Sequence, residues 1–431
     1  MSSTRRILVI GAGGGMTARL LSSLSNADMG DCLFDLRDID PAAAVKARDA
    51  FTACAAVHGT LDLFNESDLA EAARGAFMVV NGAGPFRLTA APVRKAAIAA
   101  GAHYLDIDDD AESALSALTL EADAVARGVS LFIGCGASPG VTNVLARDLV
   151  GRLDSVEAID VAWCVGDEGP QLLGRSVLAH TIHMGAGQYA GFDDGRQAAR
   201  ESYAQSRRIP LPGLADHPFY ECAHPEPVMF GRSFPELARA TCWGSLHPAP
   251  LNGVLRGVAQ AARQGRISED DAITYLQNAI AKRKTDKRID KEAMRGVAEQ
   301  RARGEIGWLQ HADFILRELF NIPRPTVSGI GAIARGVLDG RRVELMRHID
   351  PTLAQSPLRH MDVSTGCAEA AFFVEALQTG AAPGVLFPEQ WIAPEAFYAR
   401  LNVMLPPGAG DWLGPVICQE DRTGAALASA A

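Results

Sequence analysis

The residues best placed to do chemistry open the chain. Gly11-Ala12-Gly13-Gly14-Gly15-Met16 follows one apolar strand pattern and begins a helical one. Gly11 suits a tight turn, and Gly13 removes a Cβ so that backbone amides can approach a pyrophosphate. The helix start then offers unpaired N–H groups and the positive end of its dipole. Met16 stands where G-x-G-x-x-G has its third glycine, the position that normally permits close helix–strand packing; Gly14 and Gly15 would loosen the turn instead. Asp38 comes 22 residues after Met16, just past a second strand pattern, where a carboxylate accepts both ribose hydroxyls. Asp35 is its rival but lies inside that strand pattern. Asp38 repels a 2′-phosphate, which favours NAD, while Arg37 beside it keeps NADP open. Asp62, on a further strand-like stretch, is a candidate for the adenine edge.

These residues need a particular frame. Ile7–Ile10, Cys32–Leu36, Phe77–Val80, Tyr104–Ile107 and Val129–Ile133 are short apolar runs, and helical stripes lie between them. Such alternation predicts crossover units and a parallel sheet with helices on both faces. The pattern changes near Gly140. Val156–Val165 reads as a strand, Ile209–Pro227 is rich in glycine and proline, and 254–320 is mostly polar and helical, with a solvated charged block from Lys282 to Arg303. Leu338-Asp339-Gly340-Arg341 is a hairpin signal. A helical pattern returns at Cys367–Leu377. The reading is a separate α+β domain over 141–350 and a loosely held tail from 411 to 431.

The 431 residues carry a formal charge of −10, with 48% hydrophobic and 21% charged residues. This is an ordinary globular balance with ample core. It argues against a nucleic-acid surface and against docking on an anionic membrane. No run approaches the ~20 apolar residues of a spanning helix. The start, MSSTRRILVIGAGGG, does not read as a signal peptide. The cysteines at 32, 54, 135, 164, 222, 242, 367 and 418 form no C-x-x-C pair or zinc spacing, so reduced thiols in a cytoplasmic protein, with no metal site, are expected.

Three further segments carry a family resemblance. Val79-Val80-Asn81-Gly82-Ala83-Gly84-Pro85-Phe86 precedes an alanine-rich helix and Gly101-Ala102-His103-Tyr104-Leu105-Asp106. Gly134-Cys135-Gly136-Ala137-Ser138-Pro139-Gly140-Val141-Thr142-Asn143 follows, and far downstream come Thr365-Gly366 and Gly384-Val385-Leu386-Phe387-Pro388-Glu389. This order resembles the saccharopine dehydrogenase (saccharopine reductase-like) family, with its lysine 6-dehydrogenase-like relatives, over 5–150 and again over 360–395. The resemblance implies a Rossmann-type parallel-sheet domain built from both chain ends, 1–140 plus 351–410, with an inserted α+β domain for substrate binding and dimerisation. It also implies a homodimer and a small amino-acid-like substrate. Ala83, Gly84, Pro85 and Phe86 would end a parallel strand beside the cofactor, with Phe86 near the nicotinamide. Ser138 and Pro139 would form a rigid crossing at the cleft.

In that family the reacting bond is carbon–nitrogen, so a general acid/base near neutrality is needed. His180 and His183, three apart in Leu178–His183, suit one helix face. His224 and His247, in proline-rich loops, are weaker candidates. Arg232, in a loop resembling that of lysine 6-dehydrogenase-like relatives, and Arg87 are carboxylate clamps, with Arg175 an alternative. Asn143 is a further substrate candidate. The expected activity is NAD(P)-dependent hydride transfer at CH–NH or CH–NH2. A carbonyl/alcohol oxidoreductase and a non-catalytic NAD(P)-binding protein are the alternatives.

Overall fold

The computed structural model describes residues 4–166, 174–320, 322–323, 326–349, 360–409 and 411–420. Along the chain run β1 (Arg5–Ile10), α1 (Gly15–Ser23), β2 (Cys32–Asp38), α2 (Pro41–Ala50), β3 (Ala55–Thr60), α3 (Glu66–Ala73), β4 (Met78–Asn81), α4 (Phe86–Ala100), β5 (His103–Asp106), α5 (Ala111–Leu118), α6 (Glu121–Arg127), β6 (Ser130–Phe132) and α7 (Val141–Val150). Next come β7 (Ser155–Val165), α8 (Arg175–Met184), β8 (Gly187–Asp193), β9 (Arg196–Ser202), β10 (Ser206–Arg208), β11 (Pro218–Glu221), α9 (Glu226–Ser233), β12 (Arg239–Leu246), α10 (Pro250–Arg263), α11 (Glu269–Ile280), α12 (Lys287–Ala302), α13 (Trp308–Phe320), β13 (Gly329–Leu338) and β14 (Arg341–His348). The last elements are α14 (Met361–Thr379), β15 (Gly384–Leu386), α15 (Pro388–Trp391), α16 (Pro394–Met404) and β16 (Ile417–Glu420).

Two compact units result, Met1–Arg147 with Met361–Ala409, and Asp148–His360 with Gly410–Ala431. The first is an α/β unit around a seven-stranded parallel sheet, ordered β15-β6-β5-β4-β1-β2-β3. Its central strands are covered on both faces, which is why Ile7–Ile10 and Met78–Val80 are continuous apolar runs at 0–2% exposure. Both chain ends build this sheet, since β15 pairs with β6 from more than 250 residues downstream. The returning helix α14 packs on α1, and the approach is close: a Cβ on Gly366 would stand 2.6 Å from the Met16 carbonyl oxygen.

The second unit is built on a mixed sheet whose main path is β10-β11-β12-β7-β13-β14-β16. Strand β7 is its centre, parallel to β12 and antiparallel to β13. The β13–β14 hairpin turns on Asp339 and Gly340, at φ 50° and 72°. Two positive φ values are what the twist of a two-residue hairpin demands. The glycine- and proline-rich stretch contains strand β11 and the start of α9, which composition concealed. The expected loose tail is corrected for its first part: Ile417–Glu420 adds a strand beside β14. Residues 421–431 of that tail lie outside the described residues.

Candidate functional site

In the first unit, β1 ends at Ile10 and the chain turns at Gly11 with φ 76°. A Cβ on Gly11 would lie 2.8 Å from the Ala83 backbone nitrogen, so the glycine loop rests directly on the segment after β4. The Gly13 N–H donates to Asp38 Oδ2 at 2.8 Å, and the Asp40 N–H donates to Asp38 Oδ1 at 3.0 Å. A Cβ on Gly13 would meet the Ala43 methyl at 2.5 Å. Helix α1 starts behind Gly14, which has no side chain to cap it, and no acidic residue stands in its first turn. The first-turn amide donors and the positive dipole end of α1 therefore meet no acidic side chain from the helix itself. A carboxylate has about four acceptor positions, so Asp38 keeps capacity for two sugar hydroxyls while tied to the loop.

Met16 departs from the usual glycine, yet the close approach survives by another route. A Cβ on Gly82 would lie 2.0 Å from Thr17 Oγ1, so Gly82, at the end of β4, gives α1 its room. Asp35 is only 3% exposed and receives Arg37 at 2.6 and 3.1 Å and Arg6 at 2.8 Å. That engagement removes it as a rival ribose ligand. Asp62 is exposed and sits in the turn after β3, not on a strand, where Oδ1 accepts the Phe64 N–H at 3.0 Å. Leu61 beside it donates its N–H to the Asp38 carbonyl at 3.0 Å.

Ala83 is held by Asn81 Oδ1 at 3.2 Å, and the Gly84–Pro85 peptide is cis. Phe86 begins α4 and is 6% exposed, so its ring packs inward in this structure. Arg87, on the same turn, is half-buried and donates its backbone N–H to Asp110 at 2.8 Å. Ser138 and Pro139 belong to a tight loop after β6, with a cis bond between them and the Gly136 N–H donating to the Pro139 carbonyl at 2.9 Å. Asn143 is fully buried: Oδ1 accepts the Gly140 N–H at 2.9 Å and Nδ2 donates to Glu389 at 2.7 Å. These bonds tie Asn143 to the loop and to α15.

Sequence reading overlooked a polar cluster at the carboxyl ends of β4 and β5. Arg94 is fully buried and bonds Asp106 at 2.6 Å and Asp108 at 2.5 Å, while Tyr104 donates its hydroxyl to Asp106 at 2.7 Å. Burial pushes Asp108 up to about 7, with Asp106 and Asp110 adding to the rise against the pull of Arg94. The acidic run Asp108-Asp109-Asp110 after a strand was the available signal. Glu369, on α14, is wholly buried and neither carboxyl oxygen finds a hydrogen-bond partner among the described residues.

In the second unit, His180 on α8 is 9% exposed and meets the His224 ring edge-on, with centroids 5.6 Å apart. His224 Nδ1 lies 2.8 Å from Glu226 Oε2, and Trp163 from β7 flanks the same ring at 5.6 Å. Burial alone would lower the His224 pKa, but the Glu226 carboxylate raises it well above the ordinary imidazole value. His224 and Glu226 thus form an oriented acid/base pair, and Glu226 went unnoticed because nothing in the spacing marks it. His183 stands one helical turn beyond His180 and is half-buried. Ligand atoms of His224, Glu226 and Cys242 lie within 4.8 Å of one another, a set able to close on a transition metal. The ion pair already satisfies two of them. Arg232 is exposed, near the end of the same helix α9 that Glu226 opens. Arg175 is exposed and pairs with Asp270 on the surface. His247 lies beside His217, which burial and His247 lower to about 3.

With the loop, Asp38 and the strand-end segments in place, comparison with known proteins decides the class. Residues 7–130 match the saccharopine dehydrogenase NADP binding domain. That stretch is therefore similar to the cofactor-binding domain of saccharopine dehydrogenases. The chain is 26% identical over 286 residues to carboxyaminopropylagmatine dehydrogenase of Synechocystis sp., covering 61% of this chain and 67% of the relative. Among solved structures, apo saccharopine dehydrogenase (L-Glu forming) from Saccharomyces cerevisiae matches with a TM-score of 0.58 at 14% identity, covering 96% of this chain and all of that one. The saccharopine dehydrogenase-like fold and an NAD(P)-binding Rossmann sheet are therefore findings. Among the described residues, no helix is long and apolar enough to cross a membrane.

Proposed function

We propose that this saccharopine dehydrogenase-like oxidoreductase uses NAD(P) to act on a C–N bond, CH–NH or CH–NH2, of an amino acid or opine-like conjugate. The observation that carries the reading is the Gly13–Asp38 bond beside an uncapped helix start, the frame that a dinucleotide's ribose and pyrophosphate require. The relative from Synechocystis, named as a dehydrogenase of a carboxylated amine, supports the substrate class. A bound nicotinamide would supply or accept the hydride.

The chain's own residues hold and move protons. Glu226 orients the His224 ring and holds its proton, so His224 donates to or receives from the substrate nitrogen. His180 lies against that ring, and His183 remains a second acid/base candidate on α8. Arg232 and Arg87 are the proposed carboxylate clamps. Gly11 to Met16, Asp38, Asp62, Ala83 to Phe86, Ser138 and Pro139 are the proposed cofactor contacts.

A cytoplasmic homodimer belongs to the same reading. Six of the eight thiols are buried and unpaired, which suits a reducing compartment. Helix α13 exposes Trp308, Leu309, Leu316, Leu319 and Phe320 at 52–75% along one stripe, an apolar face suited to a second copy.

The test is NADH oxidation with 2-oxo acids and ketones, each with and without an amine panel. Oxidation that requires the amine is expected. Reduction of ketones alone assigns the carbonyl/alcohol class instead. Cofactor binding with no turnover assigns a non-catalytic role, and absence of any dinucleotide binding by calorimetry overturns the reading entirely.

A further inference from the structure

We infer that Asp35, which never reaches the cofactor, sets cofactor choice by holding Arg37 away from the ribose, so that this chain selects NAD over NADP. The inference rests on the dinucleotide reading above and deepens it. Asp38 and Arg37 are neighbours on β2, and neighbours on a strand point to opposite faces. Asp38 faces the glycine loop, where Gly13 holds it. Arg37 points the other way, on the same face as Asp35.

Two contacts then lock Arg37. Its guanidinium makes a forked pair with Asp35, Nε to Oδ1 at 2.6 Å and Nη2 to Oδ2 at 3.1 Å. It also lies across the next strand. Arg37 is in register with Gly59 of β3, and a Cβ on Gly59 would stand 2.2 Å from Nη1 and 2.7 Å from Cζ. Gly59 therefore leaves the space that the tethered side chain fills. Arg6, also bonded to Asp35 Oδ2 at 2.8 Å, fixes the carboxylate from the other side. The cation that sequence position offers to a 2′-phosphate is thus already spent on Asp35. What remains at the sugar is the Asp38 carboxylate, which accepts hydroxyls and repels a phosphate. The domain family carries NADP in its name; these contacts give this chain the opposite preference.

The test measures NADH and NADPH affinity by nicotinamide fluorescence for the full chain, wild type, Arg37→Ala, Asp35→Asn, Gly59→Val and Asp35→Asn/Arg37→Ala. Wild type is expected to bind NADH at least about 30-fold more tightly than NADPH. Arg37→Ala leaves both unchanged. Asp35→Asn releases Arg37 and tightens NADPH about tenfold, the worth of one charge-assisted contact, with NADH unchanged. The double variant returns to wild type. Gly59→Val, which pushes Arg37 off its resting place without touching Asp35, is expected to shift the same way and decides the matter if Asp35→Asn fails to fold. Weaker NADPH binding in Arg37→Ala, or no gain in the folded releasing variants, overturns the inference. Failure of wild type to bind either nucleotide overturns the dinucleotide reading instead.

Discussion

The glycine loop of the first unit and the histidine cluster of the second are built by opposite means. The loop is made of backbone: Gly11, Gly13 and Gly82 matter for the Cβ atoms they lack, and the Asp38 side chain is oriented there by a bond to the loop. The cluster is made of side chains from three separate segments, with Trp163 on β7, His180 on α8, and His224 and Glu226 at the start of α9. Backbone sites are local in sequence and tolerate little. Side-chain sites are distributed and have neighbours that partly substitute for one another.

The sharpest way to break this contrast is Gly13→Val. Its first added carbon already meets Ala43 at 2.5 Å and stands 3.1 Å from Asp38 Oδ2, so both the turn and the carboxylate must shift. Dinucleotide binding is expected to fall below detection in calorimetry, and turnover with it. Retained binding would show that the loop is not the cofactor's seat.

His224→Ala is expected to lower kcat by about 10²- to 10⁴-fold while leaving NADH affinity intact. Glu226→Gln keeps the shape of the partner but removes the charge that raises the His224 pKa, so it should cost less and, in the NADH-oxidising direction where His224 donates, move the alkaline limb of the pH–rate profile to lower pH. If His180→Ala costs more than His224→Ala in a steady-state assay, the assignment of the proton-carrying ring is reversed.

The difference also explains what was legible. The parallel sheet could be read because strand and helix periods alternate, and the loop because glycine spacing encodes backbone shape directly. Even the departure at Met16 was visible, although its remedy, Gly82 against Thr17, needed the fold. The His224–Glu226 pair was hidden because two residues two apart in a proline-rich stretch look like any loop. Strand β11 was hidden for the same reason, and the bond between Asn143 and Glu389 was hidden because it spans 246 residues.

Glu369 separates stability from chemistry within the first unit. Burial chiefly, and Asp106 second, raise its pKa from 4.5 to about 8. The native chain therefore keeps this proton between about pH 4.5 and 8, while the unfolded chain releases it. Stability must fall as pH rises through that window and level off above it. Glu369→Gln is neutral at every pH and should remove that part of the slope, on the order of a few kcal/mol between pH 5 and 8.5. Urea unfolding midpoints at several pH values read this directly, and parallel curves for the two proteins would mean that Glu369 is ionised in the native state.

The smallest expected effect tests the side-chain site from outside. Arg175 begins the helix that carries His180 and His183, and the sequence offered it as a carboxylate clamp. Its guanidinium instead pairs with Asp270, with the two side chains 55% and 78% exposed. An exposed pair of this kind is worth about 0–1 kcal/mol and is screened by salt. Arg175→Ala is therefore expected to change the melting temperature by no more than a degree or two, and to leave kcat and KM within about twofold. A large rise in KM for the carboxylate-bearing substrate, with kcat unchanged, would mean that Arg175 leaves Asp270 to bind it. The proton-carrying cluster and the substrate clamp would then share helix α8, and Arg232 would lose its assignment.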